Sequence, residues 1–254
     1  MDLKLSGKTV LITGASKGIG ACCARSFASE GCHLILIARN TAMLEALAAD
    51  IRTQHPVKVE TFGLDLRDPA DLAQASALCA RTDILVNNAG DIPPGTVEQI
   101  DDARWRHAWE LKVFGYISLA RAAFSAMRAG SAGTIINVIG MAGERPTGGY
   151  ICGATANAAL AAFTKGLGQD ALATGVRVMG VHPPATRTDR IEMMMRAMAL
   201  KHYGDETRTA DLLRDGLIEP SMDPEQVADA VVYLASPRAS QMSGIVLNLG
   251  RVNG

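Results

Sequence analysis

Short apolar runs and longer amphipathic segments alternate along most of the chain. The first apolar run is Thr9–Thr13, which ends at a glycine-rich turn. Apolar runs of this length that are bounded by glycine or polar residues are typical of strands buried on both faces of a sheet. Predicted strands cover Thr9–Thr13, His33–Ala38, Val57–Gly63, Asp83–Val86, Thr134–Val138, Arg177–Val181 and Ile245–Leu249.

The segments between these runs carry helical periodicity. Predicted helices cover Ala21–Glu30, Thr41–Gln54, Asp68–Cys79, Trp105–Met127 and Ala154–Ala173. Strands that alternate with helices form parallel sheets covered on both faces. The pattern therefore predicts an α/β protein: one doubly wound Rossmann domain over residues 1–254, with a parallel sheet of about seven strands and helices on both faces.

The segment Arg187–Pro220 departs from this alternation. It carries several methionines among charged residues and follows the predicted sixth strand after a proline-rich turn. Ligands of doubly wound sheets bind beyond the carboxyl ends of the strands, so this position predicts a substrate lid over residues 187–220. The alternative is that the methionines only pack two short helices onto the body of the protein.

Composition and charge narrow the class of protein. Of the 254 residues, 48% are apolar and 20% are charged, which excludes a disordered or fibrous chain. The 25 basic and 26 acidic residues give a net charge of −1 and form no basic stripe, so nucleic acid is not an expected partner.

Cysteine spacing and apolar runs bear on metal binding and location. The five cysteines are odd in number and show no zinc-binding spacing, so we expect free thiols in a reducing compartment and no metal site. The N-terminus has no apolar signal segment, and no apolar run reaches membrane-spanning length. These observations predict a cytoplasmic protein that does not enter a membrane.

The turn after the first strand has the composition of a phosphate-binding loop. It reads Thr13–Gly20 (TGASKGIG), between a predicted strand and a predicted helix. Glycines there let backbone N–H groups and the helix N-terminus approach a pyrophosphate. The alternative is a glycine-rich turn without a ligand. The candidate cofactor-binding residues in the loop are Gly14, Ser16, Lys17, Gly18, Ile19 and Gly20.

The end of the second predicted strand indicates which dinucleotide binds. An acidic residue that would hold the ribose 2′-hydroxyl of NAD is replaced there by Ala38-Arg39-Asn40. Arg39 can bind a 2′-phosphate, with Lys17 nearby as a second cation and Asn40 beside it. NADP(H) is therefore favoured over NAD(H), although Arg39 could also be a solvated surface residue.

Together, these separated motifs resemble those of the short-chain dehydrogenase/reductase family over essentially the whole chain. Thr13–Gly20 is similar to the family's phosphate loop, and Asn87–Gly90 (NNAG) to its motif after the fourth strand. The resemblance implies dinucleotide binding and a homodimer or homotetramer built on the helices Trp105–Met127 and Ala154–Ala173. It adds cofactor contacts at Asp65, Leu66, Asn88, Ala89, Gly90 and Thr188.

The same resemblance implies chemistry by a tyrosine, a lysine four residues later, a serine thirteen residues before the tyrosine, and an asparagine on the preceding helix. Aligning the Ala161–Leu167 stretch places these positions at Gly153, Asn157, Gly140 and Glu110, so all four are substituted. Asn157, where the family's lysine holds the ribose, is still expected to contact the cofactor.

Other residues could supply the missing proton transfer. Tyr150 lies one helical turn before Gly153, and the missing side chains at Gly140 and Gly153 could leave room for it; alternatively, Tyr150 packs the rim of the loop. His182 has the pKa range for acid–base work, or it is a loop histidine bonded to backbone. Glu110 could be a buried base or the ion-pair partner of a neighbouring cation.

Three functions follow from this pattern. The first is an NADP(H)-dependent oxidoreductase for a small-molecule carbonyl or alcohol with an unconventional acid, because the cofactor itself supplies the hydride. The second is an NADP(H)-binding sensor or partner subunit without chemistry. The third is a non-redox enzyme, such as a lyase or isomerase, that uses the emptied pocket.

Overall fold

The computed structural model describes residues 1–130, 132–218 and 221–250. Seven parallel strands form one sheet in the order β3-β2-β1-β4-β5-β6-β7. This architecture confirms the predicted doubly wound α/β fold. The strands are β1 (Thr9–Thr13), β2 (His33–Ala38), β3 (Val59–Gly63), β4 (Ile84–Asn87), β5 (Gly133–Val138), β6 (Val176–His182) and β7 (Ile245–Asn248).

Helices cover both faces of the sheet. Alternate residues of one strand point to opposite faces, so Val10 and Ile12 pack under one helical layer while Leu11 packs under the other. The helices are α1 (Gly18–Ser29), α2 (Thr41–Gln54), α3 (Pro69–Leu78), α4 (Asp102–Trp109), α5 (Gly115–Ala129), α6 (Ile151–Ala171), α7 (Asp189–Tyr203), α8 (Thr209–Arg214) and α9 (Pro224–Ala235). Helices α1, α2 and α9 contribute to the first layer, and α3, α5 and α6 to the second.

Two helical features differ from the sequence prediction. The single helix predicted over Trp105–Met127 is instead α4 and α5, joined by a π-helical turn over Glu110–Phe114. Helix α9 was not predicted, although Asp223 and Gln226 form a reciprocal capping box at its start.

Strand order reverses between β1 and β4, and this switch point places a crevice beyond their carboxyl ends.

The segment predicted as a lid contains α7 and α8. Two backbone hydrogen bonds join the start of this segment to the chain that follows it. The Arg187 N–H donates to the Met222 carbonyl at 2.8 Å, and the Met222 N–H donates to the Ala185 carbonyl at 2.8 Å. Residues 219 and 220 of the predicted segment lie outside the described residues. Across the part of the chain that the structure describes, no helix is both long and apolar enough to cross a membrane.

Candidate functional site

A cleft of about 1290 Å³ opens beyond the carboxyl ends of the central strands. It runs from the end of β2, past the glycine loop, to the start of α6. Most of the predicted site residues line it, namely Gly14, Ser16, Lys17, Gly18, Ile19, Arg39, Asn40, Asp65, Leu66, Asn88, Ala89, Gly90, Tyr150, Asn157 and Thr188. Gly20, Glu110 and His182 are not part of its lining.

The glycine loop has the geometry of a phosphate cradle. Gly14 and Gly18 adopt φ values of +64° and +56°, which side-chain-bearing residues rarely adopt. Gly18 is also the first residue of α1, so the helix N-terminus and its unpaired N–H groups face the cleft. Gly20 acts from behind the loop, because a Cβ there would collide with the Gly14 carbonyl. These residues fit a dinucleotide pyrophosphate.

Side-chain hydrogen bonds join this loop to the end of β4. The Asn88 amide nitrogen donates to the carbonyls of Thr13 at 3.0 Å and Gly14 at 3.2 Å. In return, the Thr13 hydroxyl oxygen accepts the backbone N–H groups of Asn88 and Ala89, each at 3.0 Å. The two turns that flank the switch point are therefore held in a fixed relation.

Charged residues surround the far end of the cleft, beyond β2. Arg39 is exposed, and its Nη2 lies 3.6 Å from Oδ2 of Asp91. Arg67 reaches the same Asp91 carboxylate at 3.3 Å and the Asp65 carboxylate at 3.6 Å. Asn40 caps α2 by accepting the Met43 N–H at 3.0 Å. An acid thus pairs with Arg39, although none follows β2 directly in the sequence.

Lys17 makes its ion pair with the segment over the cleft. Its Nζ lies 3.4 Å from Oδ2 of Asp189, in the first turn of α7. Ile191 and Met194 of the same helix line the cleft. A second, apolar cavity of about 60 Å³ lies beneath α7 and is lined by Ala185, Ile191, Met194, Met195, Met198, Ile218 and Ser221. Some methionines of this segment therefore face the cleft and others pack beneath the helix.

At the near end of the cleft, Tyr150 occupies the space beside Gly153. A Cβ placed on Gly153 would lie 2.6 Å from the Tyr150 hydroxyl and even closer to the ring. Tyr150 is partly buried and packs against an apolar cluster that includes Ile92 and Val113. Its side chain packs at the rim, and it also lines the cleft. A role of Tyr150 as substitute acid stays a prediction.

Gly140 and Asn157 meet in the same region. Gly140 has a φ of +133°, and a Cβ there would lie 2.8 Å from the Asn157 amide nitrogen. Asn157 is only 4% exposed. The glycine therefore leaves room for the buried amide, which lines the cleft together with Tyr150.

A lysine that the sequence reasoning did not propose also lines this part of the cleft. Lys112 is only 8% exposed, and its Nζ donates to the carbonyls of Ile139 at 2.9 Å and Val138 at 3.2 Å. Glu110 is exposed instead, so the hypothesis that Glu110 is a buried base is wrong. The signal for Lys112 was a lysine between Leu111 and Val113, which are both buried.

His182 lies at the end of β6, behind the turn Met141–Gly143, and is fully buried. Its Nε2 is 3.3 Å from Oε1 of Glu144. Burial lowers the pKa of His182, and the neighbouring Glu144 carboxylate opposes that shift in part. Because His182 does not line the cleft, the structure does not support it as a substitute acid.

Within residues 1–130, 132–218 and 221–250, no three His, Cys, Asp or Glu side chains come together in an arrangement that could hold a metal ion. All five cysteines are free thiols. At the near end of the cleft the lining side chains include the Tyr150 phenol, the Asn157 amide and the Lys112 ammonium group.

The sheet order and the glycine loop define a Rossmann-type dinucleotide-binding protein. A family model described as short chain dehydrogenase matches residues 8–198. The chain therefore belongs to the short-chain dehydrogenase/reductase family, whose members are oxidoreductases.

Individual relatives cover almost the whole chain. A 3-oxoacyl-(acyl-carrier-protein) reductase of Vibrio harveyi is 31% identical over an alignment of 258 positions, gaps included, which covers 99% of this chain and 98% of the relative. The structure of L-sorbose reductase from Gluconobacter frateurii, complexed with NADPH and L-sorbose, is 29% identical, with a TM-score of 0.91 over 100% of both chains. A 7α-hydroxysteroid dehydrogenase complexed with NADH is 27% identical, with a TM-score of 0.83 over 98% of this chain and 94% of that one.

Proposed function

We propose that this protein is an NADP(H)-dependent oxidoreductase that interconverts a small carbonyl compound and its alcohol, with Tyr150 as the proton donor. The observation that carries the proposal is the position of the Tyr150 ring. It fills the space that a side chain at residue 153 would need, and it lines the same cleft as the glycine loop. A phenol is thus present at the near end of the cleft, which Gly140, Tyr150 and Asn157 line, although residue 153 is glycine. We call this end the reacting end.

The reaction divides between the cofactor and the chain. The glycine loop, Arg39 and Asn157 would hold the cofactor, and a reduced nicotinamide bound there would supply a hydride, with its two electrons, for the carbonyl carbon. The carbonyl oxygen then takes a proton from Tyr150, and the phenol regains its proton from water. A phenol is protonated at neutral pH, which suits it to donate in the direction of reduction. Positioned acids contribute about 10²–10⁴-fold to such rates.

The preference for NADP(H) rests on Arg39. Its guanidinium lies exposed at the cleft margin and can bind a 2′-phosphate through two parallel hydrogen bonds. The pair with Asp91 is exposed at 3.6 Å, and such pairs contribute less than about 1 kcal/mol, so a phosphate can displace the carboxylate. NADPH bound to L-sorbose reductase supports this preference, while the NADH-bound relative shows that the family uses both cofactors.

The segment over residues 187–220 supports an apolar contribution to substrate binding. Ile191 and Met194 face the cleft, and Lys17 links the glycine loop to Asp189 on the same helix. We assign this segment as the substrate lid of a single domain. The family resemblance further implies a homodimer or homotetramer that packs through α5 and α6.

The test measures NADPH absorbance with a panel of aldehydes and ketones. Wild type is compared with Tyr150→Phe and with Tyr233→Phe, which changes an exposed tyrosine on α9. We expect Tyr150→Phe to lower kcat about 100-fold with NADPH affinity retained, and Tyr233→Phe to match wild type.

The other outcomes discriminate between the competing functions. Tight NADPH binding without turnover of any carbonyl would favour a sensor or partner subunit. Conversion of a compound without a change in NADPH absorbance would favour a non-redox enzyme. Equal turnover in Tyr150→Phe and wild type would remove Tyr150 as the proton donor.

A further inference from the structure

Lys112 is a long cationic side chain buried at the reacting end of the cleft. Lysine is almost never buried without a partner or a role, because removing its charge from water is costly. Here the ammonium group donates to the Ile139 carbonyl at 2.9 Å and to the Val138 carbonyl at 3.2 Å, where β5 ends. These bonds hold the charge next to Gly140 and keep it at the wall of the cleft.

The chain makes room for this lysine from two sides. The π-helical turn Glu110–Phe114 widens the helix so that Leu111, Lys112 and Val113 are all buried in succession. Such turns occur frequently at functional sites. A Cβ on Gly90 would lie 2.9 Å from Cδ of Lys112, so the glycine after β4 leaves space for the lysine stem.

An amide completes the arrangement from the opposite helix. Asn157 of α6 approaches the Gly140 side of the Ile139–Gly140 peptide, and Lys112 binds the carbonyl of that peptide. The family resemblance leads one to expect an ammonium group at residue 157 and an amide on the preceding helix. In this chain the positions are exchanged: the ammonium group of Lys112 comes from the turn before α5, and the amide of Asn157 comes from α6.

We propose that Lys112 supplies the positive charge of the reacting centre and that Asn157 takes the polar contact at the former lysine position. The inference rests on the proposed function. As the hydride adds to the carbonyl carbon, the π electrons of the C=O bond move to oxygen, which takes the Tyr150 proton. Lys112 opposes the negative charge that develops on the oxygen and on the phenolate, and the exchange with Asn157 keeps one ammonium group and one amide in the cleft.

A double-mutant cycle tests the exchange. The variants are Lys112→Asn, Asn157→Lys and the double variant, with Lys58→Asn as a control at an exposed lysine before β3. We expect Lys112→Asn to lower kcat about 100-fold with little change in NADPH affinity. The double variant should recover roughly tenfold of that loss, because it restores one ammonium group and one amide. Additive losses, or a wild-type kcat in Lys112→Asn, would overturn the inference.

The variant Lys112→Met distinguishes a loss of catalysis from a loss of folding. Methionine keeps the length of the buried stem without its charge, and such replacements of buried charges are often tolerated. Its thermal unfolding is measured beside kcat. The inference predicts a folded protein with lowered kcat, and a folded Lys112→Met with wild-type kcat would contradict it.

A second measurement does not depend on turnover. Lysines are labelled by reductive methylation and quantified by peptide mass spectrometry, in protein alone, with NADPH and with 2′,5′-ADP, which covers only the adenosine end. Lys112 is only 8% exposed, so we expect it to be labelled more slowly than Lys58 in the protein alone. We expect 2′,5′-ADP to leave this slow rate unchanged, NADPH to lower it further, and Lys58 to be labelled equally in all three samples. Equal labelling of Lys112 with both ligands would overturn its placement at the reacting end. If NADPH protects Lys112 but no carbonyl turns over, the proposed function fails while the placement stands.

Discussion

The substitution Gly153→Ala tests the placement of Tyr150 with a single methyl group. A Cβ on residue 153 would stand 2.6 Å from the Tyr150 hydroxyl and closer to the ring, below the 3.0 Å that real Cβ contacts respect. The aromatic ring must therefore move away. Misplacing a reacting group by about 1 Å costs about 100-fold in rate, so we expect kcat to fall by that factor.

Stability should change much less than the rate. Alanine in place of glycine favours a helix by about 1 kcal/mol, whereas overpacking costs about 1–3 kcal/mol. The two effects offset each other in part, so we expect a net destabilisation of no more than about 2 kcal/mol. NADPH affinity should stay near wild type, because residue 153 does not line the cleft.

The assay measures kcat, NADPH affinity and thermal unfolding of three variants. Gly166→Ala is the matched control, since it lies on the same helix and a Cβ there meets no atom within 4 Å. It should keep the wild-type kcat and unfold at an equal or higher temperature. Adding Gly153→Ala to Tyr150→Phe should cost little further activity. A wild-type kcat in Gly153→Ala would refute the argument that Tyr150 acts from this position.

Four further substitutions address the cofactor site and the core. Gly20→Ala should weaken NADPH binding at least about tenfold, measured by cofactor fluorescence, because its Cβ would collide with the Gly14 carbonyl and disturb the loop. Arg39→Ser should weaken binding of NADPH by about 10–100-fold but not that of NADH, and Asp91→Asn should strengthen NADPH binding; equal effects on both cofactors would contradict this role. Burial lowers the pKa of His182 below its ordinary 6.5, so the unfolded chain binds more protons than the folded one. The free energy of unfolding therefore falls as the pH drops below 6.5. We expect His182→Gln to lack this part of the fall in unfolding temperature, measured by thermal unfolding over a pH series.

The sheet could be predicted from the sequence because each strand carries its own local signal. Buried parallel strands are nearly continuous apolar runs, and β1 and β2 begin and end at the predicted residues. Other boundaries shift by a few residues, as with β3, which begins at Val59 instead of Val57. Helix α9 also had a local signal in its capping box, which the sequence reasoning overlooked.

The π-helical turn had no such signal. Its extra residue per turn breaks the 3.6-residue period, and the segment reads as part of one long helix. Aligning the chain with the family pattern selected Glu110 at this position, whereas the structure exposes Glu110 and buries Lys112 at the wall of the cleft.

The sequence by itself determined the class of fold and the phosphate loop, because strand periodicity, turn glycines and the start of α1 are local properties of the chain. By resemblance to the family, it also predicted that the catalytic positions fall at residues 140, 153 and 157, which are Gly, Gly and Asn. Only the tertiary structure decided what stands in their place. Tyr150 fills the space beside Gly153, and Lys112 fills the space beside Gly90 from another helix. Protein interiors are closely packed, so the space beside a glycine is filled by a neighbouring side chain, and the packing of segments distant in sequence determines which one.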